Sequence, residues 1–269
     1  SANLPAMPHI GLELKRLLDN ANTTAQELSD VVLKDHKLTS AVLKLVNSPM
    51  FMLPFKVDTV TRAITVVGRK HVSHLALGAI LMNIFESSPK DALLLENFWR
   101  HSLACALIAR NLAREVGKKV PERYFVAGLL HDVGQLAILH RLPDAAHAAL
   151  ALASAEKLDL FQAEQRLLGF THSELGEALL VGWHFPAHLV AAVAFHHCPT
   201  CQLSQDVSRI VHVADILAHA LDLAVCPDFS VSAVNAEAFE ALELDQAVLD
   251  RALEGLGGQL TAISDILLQ

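Results

Sequence analysis

The stretch AGLLHDVGQLAIL, residues 127–139, sets His131 beside Asp132 in surroundings that are otherwise apolar. An imidazole nitrogen and a carboxylate oxygen offered together are ligands for a divalent cation. Two ligands do not complete a site. Five further candidates stand on separate segments: His101 in FWRHS, His172 in THSELG, His196 and His197 in AFHH, and Asp215 in HVADIL. With His131 and Asp132 they supply mixed nitrogen and oxygen donors for one or two ions. That donor set suits Fe, Mn, Ni or Zn better than it suits a soft metal in a thiolate cage. Asp132 is the natural bridge between two ions and the candidate catalytic residue.

Each of these residues also has a plainer role open to it. The His-Asp pair can hydrogen-bond between helices, His196-His197 can sit at a helix C-terminus where the dipole favours imidazolium, and His172 can be a first-turn residue. His101 can be a satisfied core histidine. Asp215 is harder to place without a partner, because an unpaired buried carboxylate is costly. His212 and His219, three residues before it and four after it, compete with a metal for that role. The motif CPTC, Cys198–Cys201, has zinc-like or redox spacing, but a single CxxC is a weak signal. The other histidines, among them His9, His36, His71, His74, His140 and His147, read as surface or packing residues.

The elements that must position these residues read as helices throughout. Thr24 with Glu27 forms a capping box, as does Thr171 with Glu174. Leu38, Val42, Leu45 and Val46 make an apolar stripe that ends at Ser48-Pro49. Asp58 is placed to cap TVTRAITVV, and Gly68 interrupts before RKHVSHLALGAILMNIF. The segments FWRHSLACALIARNLAREVG, ERYFVAGLLHDVGQLAILH, THSELGEALLVGWHF, PAHLVAAVAFHH and SRIVHVADILAHAL follow as further helices. Gly134 removes a side chain where another helix can approach closely. The loop PMFMLPF, 49–55, reads as core, with an exposed patch for a partner or for self-association as the alternative. No segment of convincing length has strand periodicity, so the fold class is all-α. Boundaries fall at SSPKDA, 87–92, and around 222–232. They give an N-terminal helical subdomain 1–86, a second helical subdomain 87–221 and a C-terminal extension 222–269.

Composition narrows the class. Of 269 residues 52% are hydrophobic, ample for a buried core, and only 5% are aromatic. The formal charge is −8 and no Lys/Arg-rich run appears, which argues against direct nucleic-acid binding. The longest stretch without Asp, Glu, Lys or Arg runs from Ala178 to Gln205. It contains Pro186 and four histidines, so a buried segment is expected there and a membrane span is not. The four cysteines form no disulfide framework for a chain of this size. No signal peptide opens the sequence, and a cytoplasmic location is expected.

The order H…HD…H…HH…D across an all-α chain resembles the HD superfamily of metal-dependent phosphohydrolases. The finer resemblance is to the HDOD (HD-related output domain) family of bacterial signalling proteins. It is carried by LPAMP, LTSAVLKLVNSPMF, TRAITVVGRKHVSHLAL, FWRHSLACALIARNLA, GLLHDVGQL, LGFTHSELGEALLVGWHFP and AVAFHH, over about residues 4–220. The resemblance implies an HD-type helical core, with His101, His131, Asp132, His172, His196, His197 and Asp215 where the enzymes' ligands fall. It also implies losses. An acidic ligand position four residues before the first histidine is Asn97, a phosphate-clamping lysine is replaced by Gln135, and no GYP motif is present.

Two functions follow as expectations. One is signal transduction through contact with a protein partner, with a metal-capable crevice and depleted catalytic machinery. The other is a metal-dependent phosphohydrolase acting on a phosphate-containing small molecule such as a nucleotide or cyclic nucleotide. For the second, Arg100, Lys118 and Lys119 are the available phosphate contacts.

Overall fold

Capping side chains and glycines decide where this chain enters and leaves its helices. The computed structural model describes residues 7–267, apart from 21, 52, 85–91, 202–205, 224 and 226–231. Among them every regular element is helical, as the sequence pattern requires. The order is α1 (His9–Asp19), α2 (Ala25–Val32), α3 (His36–Val46), α4 (Val60–Val67), α5 (Arg69–Ile84), α6 (Ala92–Glu115), α7 (Glu122–Leu130) and α8 (Val133–Arg141). There follow α9 (Pro143–Glu156), α10 (Leu160–Leu168), α11 (His172–Gly182), α12 (Ala187–Phe195), α13 (Asp206–Ala220), α14 (Ala236–Ala241), α15 (Gln246–Leu253) and α16 (Leu256–Leu267). No described helix is long and apolar enough to cross a membrane.

The chain divides into two units, one built on Ala6–Glu86 with Gly257–Gln269, the other on Ser87–Leu256. In the first, the Thr24–Glu27 capping box opens α2, and the stripe Leu38, Val42, Leu45, Val46 is buried. The cap of α4 is Thr59, not Asp58. Its extended backbone brings the hydroxyl oxygen to the Arg62 N–H at 3.2 Å. None of the described residues of the loop 49–55 is buried: Phe55 is 44% exposed, with the Arg62 guanidinium over its ring. In the boundary segment 87–92, residues 87–91 lie outside the described residues.

The second unit is organised by α6, which is buried on every face from His101 to Ala113. Helices α7, α13 and α15 pack against it, α11 packs on α8 and α12, and α12 packs on α7 and α13. The stretch 122–140 reads as one helix in the sequence, but it is two. Helix α7 stops at Leu130 and α8 restarts at Val133. Asp132 takes φ −103° and ψ 16°, a bridge-region backbone that breaks the helical run. The apolar periodicity is continuous across the break, which is why it is silent in the sequence.

That bend lets α8 meet α11 at Gly134. A Cβ there would lie 1.9 Å from the His172 carbonyl oxygen and 2.9 Å from the Gly176 nitrogen, both fixed backbone atoms. Gly128 on α7 is likewise pressed against the α6 backbone at Ala106. Gly134→Ala is therefore expected to destabilise the protein by about 3 kcal/mol or more, since backbone cannot give way as a side chain can. Gly182→Ala, with open space at its Cβ, is expected to change stability by less than about 1 kcal/mol. Urea unfolding midpoints of the two variants check the pair.

Candidate metal centre

Four helix ends and two helix interiors deliver the seven residues singled out by the sequence to one place. His101 comes from the middle of α6 and Asp215 from the middle of α13. His131 and Asp132 occupy the α7–α8 break. His172 is the first residue of α11, held there by the Thr171–Glu174 capping box, and His196 caps the end of α12 with His197 following. All are buried except His197, which is half-buried.

Asp132 lies at the middle. Its Oδ1 is 3.2 Å from His172 Nε2 and 3.3 Å from His196 Nε2, while Oδ2 is 3.3 Å from His131 Nε2. Asp215 Oδ1 lies 3.0 Å from His101 Nε2 and 3.6 Å from His131 Nε2. His172 Nε2 and His197 Nε2 face each other at 2.9 Å, and His101 Nε2 and His131 Nε2 at 3.3 Å. Three overlapping groups have ligand atoms mutually within 4.8 Å: Asp132 with His172, His196 and His197; Asp132 with His101 and His131; and His101 with Asp215 and His219.

The rings point inward because their other nitrogens are committed. A carbonyl oxygen only accepts, so each Nδ1 bonded to one carries the proton. His101 Nδ1 donates to Leu223 O (2.9 Å), His131 Nδ1 to Gly128 O (2.7 Å) and His196 Nδ1 to Val193 O (2.8 Å). His172 Nδ1 donates to the Glu164 carboxylate at 2.6 Å, and the same oxygen accepts the His172 backbone N–H at 2.7 Å. Fixing Nδ1 presents Nε2 as a ligand and raises its basicity, the usual arrangement behind metal-bound histidines.

Charge is finely distributed in this small volume. Burial works against ionised Asp132, but His131 and His172 outweigh it and hold the carboxyl well below the usual range. Asp215 is held down likewise, with His219 and His101 as its partners. Burial opposes the His172 imidazolium too, yet Glu164 and Asp132 raise it to about 10. His219 reaches about 9 through Asp215, and His131 is also raised, chiefly by Asp132. Burial pushes His196 and His197 down, towards the neutral ring.

Several buried atoms lack a hydrogen bond: Asp132 Oδ1, Asp215 Oδ1 and His196 Nε2. Each is an electron-pair donor aimed at the centre, so the donor set and its orphaned atoms fit a divalent cation.

Glu164 and His219 add to the seven residues that the sequence singles out. Glu164 falls on the apolar stripe of α10 with Leu160, Ala163 and Leu168, and a carboxylate on such a stripe was the available signal. His219 is the side chain beside Asp215, with Nδ1 3.1 Å from its Oδ1. His212 turns away, donating from Nδ1 to His196 O and accepting the Asn235 N–H. Gln135 donates its amide to Asp132 Oδ2 at 2.6 Å. CPTC closes as a Cys198–Cys201 disulfide outside the centre.

A cavity opens on the centre, lined by Asp132, Gln135, His172, His197, Asp215 and His219 with a few neighbours. Gln135 and Glu164 also border an apolar cavity walled by Phe98, Leu136, Leu139 and Leu150. Arg100, Lys118 and Lys119 line neither, and Lys118 is engaged by Asp206 at 2.5 Å.

Among known proteins, the chain matches the family model of the HDOD domain over residues 4–199. A curated, uncharacterized protein of Treponema pallidum (strain Nichols) is 21% identical over 197 residues, which are 72% of this chain and 38% of the relative. The chain thus spans well under half the length of that relative. A candidate phosphohydrolase of Shewanella amazonensis SB2B is 25% identical with a TM-score of 0.80, covering 98% of this chain and 95% of that one. A candidate signal transduction protein of Marinobacter aquaeolei VT8 is 21% identical with a TM-score of 0.75, covering all of this chain and 60% of that one.

The protonation pattern sets a pH signature. A histidine raised to about 10, as His172 is, stabilises the metal-free fold fully below pH 6.5 and loses that contribution as pH rises through about 10. His219 does the same through about 9. The lowered Asp132 and Asp215 contribute above the ordinary carboxylate range and lose it in acid. Metal-free protein is therefore expected to weaken from neutral to alkaline pH. Metal affinity is expected to rise over the same span, with protons released from His131 and His172 on binding. Urea midpoints against pH, and calorimetry in buffers of different ionisation enthalpy, measure the two limbs. Glu164→Gln is expected to weaken metal binding about 10- to 100-fold by loosening His172, which metal titration checks.

Proposed function

The chain belongs to the HDOD family, and on that premise we propose that it is a signal-transduction module working through protein contacts. Its His/Asp centre would hold one or two divalent ions of the Fe, Mn, Ni or Zn kind as a structural tie. The observation that supports this best is the lining of the cavity over the centre, where no lysine or arginine stands among the described residues. Phosphoryl chemistry calls for fixed positive groups on the oxygens that gain charge. At the position where such a cation is expected, Gln135 instead spends its amide on Asp132 Oδ2.

A bound ion would be held by Asp132 with His101 and His131, or by Asp132 with His172, His196 and His197, with Asp215 beside the first set. What such an ion supplies is concentrated positive charge, which takes the place of the protons now shared among these rings. The chain's own residues then fix α6, α11, α12, α13 and the α7–α8 break to one another. The helical surface so fixed is what a signalling protein partner would read. The cytoplasm is the compartment this role fits.

A second reading, a metal-dependent phosphohydrolase acting on nucleotides or cyclic nucleotides, is favoured by one feature. Asp132 turns its two oxygens towards two different histidine sets, the disposition of a bridging ligand. A metal in such a place lowers the pKa of bound water.

Elemental mass spectrometry of protein purified without chelator tests the centre. One or two equivalents of metal are expected, lost in the His131→Ala/Asp132→Ala variant. Excess metal at about a hundred times its Kd should add about 2.7 kcal/mol of stability, with no phosphodiester turnover. Turnover on the order of 1 s⁻¹ or faster, abolished by Asp132→Ala, would select the phosphohydrolase instead.

A further inference from the structure

The second ligand set runs without a spacer into Cys198-Pro199-Thr200-Cys201. The Cys198 N–H donates to Phe195 O at 3.0 Å and the Cys201 N–H donates to Cys198 O at 3.1 Å. Backbone hydrogen bonds thus already close this turn, and the disulfide across it spans a Cα–Cα distance of 5.6 Å. Pro199 is buried, Cys198 is exposed and Cys201 is half-buried. A loop of four residues costs an unfolded chain little to close, so this bond contributes little as a staple. Cys198, by contrast, is an exposed residue that an attacking thiolate can approach. Cys105, the remaining described cysteine, is buried and free.

What the disulfide does hold is the backbone directly after His197. That ring is packed tightly: its Nε2 is 2.9 Å from His172 Nε2, Phe161 stacks on it at 4.5 Å and 25°, and the His196 ring is 3.9 Å away. His197 is also the one member of its ligand set that is not fully buried. It is therefore the ligand most dependent on the chain that follows it.

We propose that Cys198–Cys201 is a thiol–disulfide exchange site whose substrate class is a dithiol, and that its redox state sets the position of the His197 ring. In the reducing direction a thiolate of the dithiol attacks Cys198 Sγ. A new S–S bond forms there, the Cys198–Cys201 bond breaks, and Cys201 leaves as a thiolate that takes up a proton. The second thiol of the dithiol then attacks the mixed disulfide, releasing Cys198 as a thiol and leaving the donor oxidised to a disulfide. Two electrons and two protons have passed to the pair, and an oxidised dithiol reverses the exchange. The consequence for the metal rests on the metal-binding reading above: the set Asp132, His172, His196, His197 binds more weakly when the disulfide is reduced and its covalent tie on the chain after His197 is gone.

The test uses the full chain with dithiothreitol as the dithiol. Alkylation and mass spectrometry should show two groups more than on the unreduced chain, on Cys198 and Cys201, with Cys105 unlabelled and the far-UV circular dichroism unchanged. Resistance of the pair to reduction, or labelling only together with unfolding, would overturn the exchange site. In metal-free protein the His197 ring signals in NMR should shift on reduction, and a Cys198→Ser/Cys201→Ser variant should match the reduced form. Unmoved His197 signals would overturn the coupling. With Mn²⁺ as the probe, the weaker of two binding events should lose about tenfold or more in affinity on reduction. Absence of Mn²⁺ binding in both states would sink the metal reading alone, because labelling and ring signals decide the exchange proposal without it.

Discussion

A carboxylate sealed in a protein interior has to be answered by positive charge or by hydrogen bonds, or it will not stay ionised. Asp132 is only 4% exposed, and the arrangement of the second unit follows from answering it. Three rings from three different helical segments bring Nε2 within 3.3 Å of its oxygens, and Gln135 adds an amide. Each ring is in turn gripped from behind by an acceptor, so the burial of one group dictates the facing of several others. Even so, Oδ1 is left without a hydrogen bond. The protons among the rings serve as a partial substitute for a doubly charged ion.

Much of this was legible in the residues. Helix starts were readable because a capping box is local: Thr24 with Glu27 and Thr171 with Glu174 need only each other. The seven candidate ligands were readable because buried polar side chains in apolar segments carry a cost that must be met somewhere. The α7–α8 break was not, since Leu130 and Val133 continue one apolar pattern and nothing in it records the backbone angles of Asp132. Thr59 took the α4 cap from Asp58 because the choice between neighbouring capping residues depends on which backbone is extended. Glu164 escaped because its partner, His172, stands on another helix, and tertiary pairing leaves no mark on a periodicity. The loop 49–55 shows the converse error: apolar composition alone does not make a segment core.

Fold and chemistry part company at the cavity. The helical scaffold is shared with proteins described as a phosphohydrolase and as a signal transduction protein, and a shared fold does not select between them. What differs from chain to chain is what stands around the ligands. Here the ligand side is richly supplied, with committed Nδ1 atoms and orphaned donors, while the side that would receive a phosphate is built of Leu160, Ile216 and Val225 with Gln135, Asp159 and Ser232.

The bond from His101 Nδ1 to the Leu223 carbonyl joins residues 122 positions apart. Closing so long a stretch of chain costs conformational entropy before the contact can stabilise anything. While the chain is being made, α6 emerges with His101 already in place but without the acceptor that orients its ring. The His101 ring gains that acceptor only when the segment after α13 arrives, whereas His131 and His196 bond carbonyls three residues before them. His101 is thus the one ring of the centre whose orientation is tied to a stretch of chain so far along the sequence.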